Sequence, residues 1–183
     1  MADSFDLLGL PRRPLLSEEE VGSAYRKLAG QLHPDQEGGN EFLFRELGEA
    51  AAILRDPARR LRELSNSPSR SQLPSKAAEF FPKIASVLQQ ADGLINKQST
   101  ASNALAKALL AAPLKQLSAD LNSALYHLQE WMSSLDQDLV KIDSRWPEHD
   151  PDEIHALADS YAYAGRWETQ LRERKLSLES LSG

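Results

Sequence analysis

Gln31-Leu32-His33-Pro34-Asp35-Gln36-Glu37-Gly38-Gly39 interrupts a run that otherwise reads as helix. Upstream of it, Val21, Tyr25, Leu28 and Leu32 recur at threes and fours, so they line one helical face. Ser17-Glu18-Glu19-Glu20 starts that helix as a capping box, in which hydroxyl and carboxylate satisfy free backbone N–H groups. Pro34 stops it, having no N–H to donate and a ring that disfavours helical geometry at His33. Gly38 and Gly39 predict a flexible loop. Downstream, Phe44, Leu47, Ala51 and Leu54 form the inner stripe of a second helix, over about 41–55. The His-Pro-Asp triplet alone is an ordinary helix-ending turn, and only its setting can give it a role.

The pattern continues outward in both directions. Ser4 to Leu8 predicts a short helix, ended by Gly9 and Pro11. Asp56-Pro57 reads as an N-cap and first helical residue for "PARRLREL". Its Arg59, Arg60 and Arg62 read as structural charge near the end of that helix. The Ser- and Pro-rich stretch Ser65 to Lys76 has no apolar period and reads as a linker. Beyond it, Phe80, Ile84, Val87, Leu88, Ala91, Leu94 and Ile95 begin another stripe, which breaks near "KQSTASN". Pro113 is taken as the next helix start. Leu114, Leu117, Leu121, Leu125, Leu128, Met132, Leu135, Leu139 and Ile142 then make a long bundle-type seam. Asp150-Pro151-Asp152-Glu153 opens a last helix carrying Ile154, Leu157, Tyr161, Ala164, Trp167, Leu171 and Leu178. No stretch alternates as a strand would. The expectation is an all-α chain: an N-terminal domain over 1–64 built on a helix hairpin, a linker over 65–76, and an antiparallel helical bundle over 77–183.

Composition narrows the function. The 183 residues hold 21 Lys and Arg against 27 Asp and Glu, a formal net charge of -6. That balance argues against general nucleic-acid binding, which needs a basic face. There is no cysteine, hence no disulfide, thiolate zinc site or thiolate-held iron–sulfur cluster in the chain. His149 and His155 have no evident third partner for a metal. No cofactor is expected, and no triad order or phosphate-cradling glycine loop suggests an enzyme. The N-terminal residues lack a basic-then-apolar signal order, and no run approaches a membrane span, so a cytoplasmic protein is expected.

Residues 4–64 resemble a J-domain. The residues that carry the likeness are Ala24-Tyr25-Arg26-Lys27-Leu28-Ala29, His33-Pro34-Asp35, then Phe44, Leu47, Ala50, Leu54, Asp56-Pro57 and Arg60. Within that class the chain is similar to the HscB (Jac) iron–sulfur co-chaperones. "SFDLLGLP" and "LRDPARRLREL" resemble their opening and fourth-helix segments, and the layout of J-domain followed by helical domain is shared. The loop "QEGGN" is shorter than in that family, and "AAEFFPKIASVLQQADGLI" stands where a Leu/Met- and Glu-rich patch is usual. The resemblance implies docking on a DnaK-type 70-kDa heat-shock chaperone and stimulation of its ATPase. Arg26, Lys27, His33, Pro34 and Asp35 would make that contact. It also implies an iron–sulfur scaffold protein as client; the aromatic ends of the first and last bundle helices, near Phe80, Phe81, Ile84 and Trp167, are the candidate patch for it. Two alternatives stay open: a J-protein with an unrelated client, and a helical scaffold whose J-like domain is inactive. Aromatic residues at helical spacing also serve as core.

Overall fold

The computed structural model describes residues 3–36, 38–65, 73–148 and 150–180. Among them the regular structure is entirely helical: α1 (Ser4–Leu8), α2 (Glu18–Leu32), α3 (Glu41–Arg55), α4 (Pro57–Ser65), α5 (Ser75–Thr100), α6 (Ala104–Ser144) and α7 (Pro151–Ser180). None of these helices is long and apolar enough to cross a membrane.

The start signals work as the sequence implies. The Ser17 hydroxyl accepts from the Glu20 N–H at 3.1 Å, while the Glu20 carboxylate accepts from the Ser17 N–H at 2.8 Å. These bonds, with Arg13 nearby, hold the Glu20 carboxyl below its usual range. Asn40 caps α3 by accepting from Leu43 N–H at 3.0 Å. Asp56 caps α4 by accepting from Ala58 and Arg59. Pro113 behaves differently from expectation. It lies inside α6, which begins at Ala104, capped by the Asn103 side chain. One lost N–H does not end a helix that has nine residues of regular backbone ahead of it.

The chain gathers into two compact units, with the division falling inside α6 and α7. One comprises Met1–Gln72 with Leu135–Tyr161, the other Leu73–Ser134 with Ala162–Gly183. In the first, Phe5, Leu8, Leu16, Val21, Leu47, Ala50, Ala51, Leu54 and Leu64 form a closed apolar cluster. Each large side chain fully buried there, such as Phe5 or Leu54, contributes roughly 1.5–3 kcal/mol. Trp146 packs against the same cluster. The Asp143 carboxylate accepts from the Leu15 N–H at 2.9 Å, and Asp159 accepts from Arg62 at 2.9 Å. Sequence periodicity grouped 135–161 with the C-terminal bundle, whereas these contacts gather that segment with the N-terminal helices. Of the stretch read as a linker, residues 66–72 lie outside the described residues, as does His149.

Arg60 and Arg62 are more than helix-end charge. Arg60 is 3% exposed, and its guanidinium donates to the carbonyls of Pro14 at 2.7 Å and Leu54 at 2.5 Å. It therefore ties the α1–α2 connection and the C-terminal end of α3 to α4.

In the second unit, Phe80 stacks on Trp131 with ring centroids 5.5 Å apart. Trp131 also meets Trp167, which meets Tyr163. Residues near the start of α5 thus face residues late in α6, so α5 and α6 run antiparallel. Trp131, rather than Met132, completes the buried stripe of Leu117, Leu121, Leu125 and Leu128.

Candidate functional site

The α2–α3 connection presents His33-Pro34-Asp35 at its tip. Leu32 is the last residue of α2, and the loop from there is closed by its own backbone. Gln36 N–H donates to the His33 carbonyl at 2.9 Å, Gly39 N–H to the Gln36 carbonyl at 2.9 Å, and Asn40 N–H to the Leu32 carbonyl at 3.0 Å. The two glycines have separate reasons. Gly38 takes φ +86°, a left-handed conformation that side chains rarely adopt. At Gly39 the reason is space, since a Cβ there would overlap the His33 carbonyl oxygen. Backbone hydrogen bonds thus close a turn around the triplet, and glycine suits both positions for these separate reasons.

Within the triplet, Asp35 N–H donates to His33 Nδ1 at 3.2 Å. The Asp35 side chain is 85% exposed and that of His33 45%. The His33 ring stands edge-on to Phe44, with centroids 5.3 Å apart and planes at 79°. Arg26, His33 and Asp35 share a shallow recess of about 470 Å³, walled by Tyr25, Ala29 and Phe44. Lys27 and Pro34 are exposed beside it without lining it. The recess thus sets a guanidinium, an imidazole and a carboxylate around a partly apolar floor. That arrangement offers hydrogen-bond donors, an acceptor and a positive charge to a polar group in the recess.

Tyr25 and Phe44 were read as inner-stripe residues, yet both are half-buried and shape this recess. Phe42 is 60% exposed under the Arg45 guanidinium, 5.4 Å from its ring centroid. The sequence held a signal for this. Two aromatics two residues apart on a helix point to different faces, so Phe42 and Phe44 could not both be core.

The proposed client residues divide. Ile84 and Trp167 are buried, at 2% and 5% exposure, because both lie on stripes that close the second unit. Phe80 is half-buried against Trp131. Phe81, turned off that stripe, is 54% exposed. The four do not form one exposed patch. A groove of about 600 Å³ runs beside them between α5 and α6, floored by Phe80, Ile84, Val87 and Ala124.

Comparison with known proteins covers the N-terminal part. Over 61 residues, 32% of this chain, it is 46% identical to the chaperone protein DnaJ of Deinococcus proteolyticus, covering 19% of that protein. It is likewise 46% identical to chaperone protein DnaJ of Caldicellulosiruptor bescii and 48% to that of Hyphomonas neptunium. In each of those two the match covers 15% of the relative's length. The chain therefore spans less than a fifth of the curated relatives it matches. The family model that matches is the DnaJ domain, over residues 3–62, so a DnaJ domain is present in the N-terminal third of the chain.

Proposed function

We propose that this chain is a cytoplasmic co-chaperone that docks on a DnaK-type 70-kDa heat-shock chaperone and stimulates its ATP hydrolysis. The observation that carries the reading is the closed turn that leaves Asp35 open to solvent beside His33 and Arg26. An exposed carboxylate held on a hydrogen-bonded turn can accept a charge-assisted bond from an arginine of the partner. Arg26 and Lys27 add positive charge along α2, which steers encounter with an acidic surface. The co-chaperone forms no bonds itself. It binds one conformation of the ATPase better than another and shifts the population. The three helices after the DnaJ domain, α5, α6 and α7, serve a client. Its layout, a J-domain followed by helices, favours an iron–sulfur scaffold protein as that client, and the lack of cysteine suits delivery rather than cluster holding. Phe81 and the groove beside it are where that client would dock.

Single-turnover ATP hydrolysis by the chaperone, with and without the full chain, tests the first part. His33→Gln should abolish stimulation while the helical circular-dichroism signal stays unchanged. A folded variant that still stimulates refutes the mechanism. For the client, the full chain should retain an iron–sulfur scaffold protein in a pull-down without chaperone or ATP, and Phe81→Ala should weaken retention. Failure of the wild type to bind at high micromolar concentration removes that client.

A further inference from the structure

Two observations at the turn have a joint consequence. A backbone N–H, that of Asp35, points at Nδ1 of His33. A ring nitrogen that accepts a hydrogen bond carries no proton, so this bond favours neutral His33 with its proton on Nε2, against the pull of the Asp35 carboxylate 3.6 Å from the same Nδ1. The second observation is at Gly39. A Cβ there would overlap the His33 carbonyl oxygen, lie 2.8 Å from the carbonyl carbon and 3.0 Å from Pro34 Cα. These contacts are with backbone, which cannot swing aside as a side-chain tip can. Gly39 is not among the glycines of positive φ, so its requirement is for room alone. The peptide that would be displaced joins His33 to Pro34. Its movement would carry the Asp35 N–H away from the ring.

We propose that Gly39 is a positioning residue for partner recognition: the room it leaves seats the His33 peptide so that His33 is held as the Nε2–H tautomer. His33 then meets the chaperone as a hydrogen-bond donor, opposite a carbonyl or carboxylate, while Asp35 beside it meets a donor. Donor and acceptor stand in a set order on one hydrogen-bonded turn. A surface with the reverse order would set like against like and be rejected. The proposal rests on the reading of this turn as the chaperone contact. It adds which atom of the imidazole faces the partner and which residue, making no contact itself, keeps it there.

The test uses the full chain. Long-range nitrogen–proton spectra of the imidazoles at alkaline pH should show His33 with an unprotonated Nδ1 and a protonated Nε2. In Gly39→Ala that pattern should relax toward a mixture of tautomers. The same variant should raise the concentration giving half-maximal ATPase stimulation by about tenfold, as loss of one hydrogen bond at the contact would. The maximal stimulation should change little, because the contacting groups themselves remain. Gly93→Ala, in α5 where nothing lies within 4 Å of the added methyl, is the control and should change neither readout. A wild-type His33 protonated on Nδ1 overturns the proposal. So does a Gly39→Ala protein with wild-type ring signals and half-maximal concentration. If Gly39→Ala loses helical signal, Gly39 is needed for folding and the positioning role is overturned, while the wild-type ring spectrum still decides the tautomer. If the wild-type chain stimulates no chaperone, the functional reading fails and takes the partner contact with it, while the spectra still decide the tautomer.

Discussion

Replacing Arg60 by methionine should cost the N-terminal unit about 3 kcal/mol, near the upper end of what single substitutions do. The guanidinium is 3% exposed and donates to two carbonyls, Pro14 at 2.7 Å and Leu54 at 2.5 Å. Leu54 is in the last turn of α3, where carbonyls have no partner within the helix. Each bond from a charged donor contributes roughly 1.5–3 kcal/mol, so the pair sets an upper bound of about 3–6 kcal/mol. Against this stands the cost of burying a charge. That cost shows in the guanidinium itself, whose proton is held less tightly than usual because of desolvation, with Asp56 and Asp143 opposing. Methionine keeps much of the apolar stem and removes the desolvation cost, but it leaves both carbonyls buried without a donor. The net loss should therefore lie near the lower part of the range.

Lysine separates charge from geometry. Its ammonium is a point donor and cannot span two carbonyls as a planar guanidinium does. Arg60→Lys should lose about half as much as Arg60→Met, roughly 1.5 kcal/mol. Urea unfolding followed by circular dichroism measures both, and an unchanged slope shows that stability rather than compactness has moved. A loss under about 1 kcal/mol for methionine, or a lysine variant as stable as wild type, refutes the two-carbonyl account.

Four further outcomes follow from the capping and the packing. Ser17→Ala should destabilise α2 by about 1 kcal/mol, read from the urea midpoint. The Glu20 carboxyl is depressed in the folded state first by the Ser17 backbone bond, so its contribution is present above the unfolded carboxylate pKa and is lost as pH falls through the lower folded value. Stability of Glu20→Gln should accordingly fall less than wild type between neutral pH and pH about 3, and an equal fall would exclude the capping carboxylate as a source. Trp146→Ala should destabilise the helices of the DnaJ domain by about 2–3 kcal/mol, less than a fully buried tryptophan, because Trp146 is half-buried against their cluster. Hydrogen-exchange rates in α1 and α3 that do not change would contradict this. Trp167→Ala should cost about 3–5 kcal/mol, whereas Phe81→Ala should stay within ~0.5 kcal/mol of wild type. Thermal melts that rank the two in reverse would show that the buried and exposed aromatics have been assigned wrongly.

Where a signal is local, the sequence was sufficient. The bounds of α1 and α3, the Ser17 box and the Asp56 cap all follow from residues within one or two turns of each other. A capping bond is short-range, and so is the alternation that marks a buried face. Gly39 was half legible. Glycine at a turn is easily seen, but the contact that demands it is with a carbonyl six positions earlier, brought back by a loop whose closure no periodicity records. Arg60 was read only as charge, because an arginine that will be buried looks the same in sequence as one that will be solvated. What distinguishes it is the pair of orphan carbonyls, one in a connection far up the chain.

The seam of α6 shows the limit most clearly. Leu117, Leu121, Leu125, Leu128, Leu135, Leu139 and Ile142 are all buried, as their spacing demands. Yet the first four belong to one compact unit and the last three to the other. Periodicity fixes which way a side chain faces relative to its own helix and carries no information about what covers it. The cover is chosen by complementary groups elsewhere. Arg62 meets Asp159, the Leu15 N–H meets Asp143, and Tyr161 donates to Asp136 at 2.8 Å, where burial and that carboxylate raise the phenol pKa far above its usual value. Each is a single polar match between segments distant in sequence, and in the sequence each is one charge or hydroxyl among dozens. A regular stripe that is buried throughout can therefore serve two cores, and its spacing does not say where one ends and the next begins.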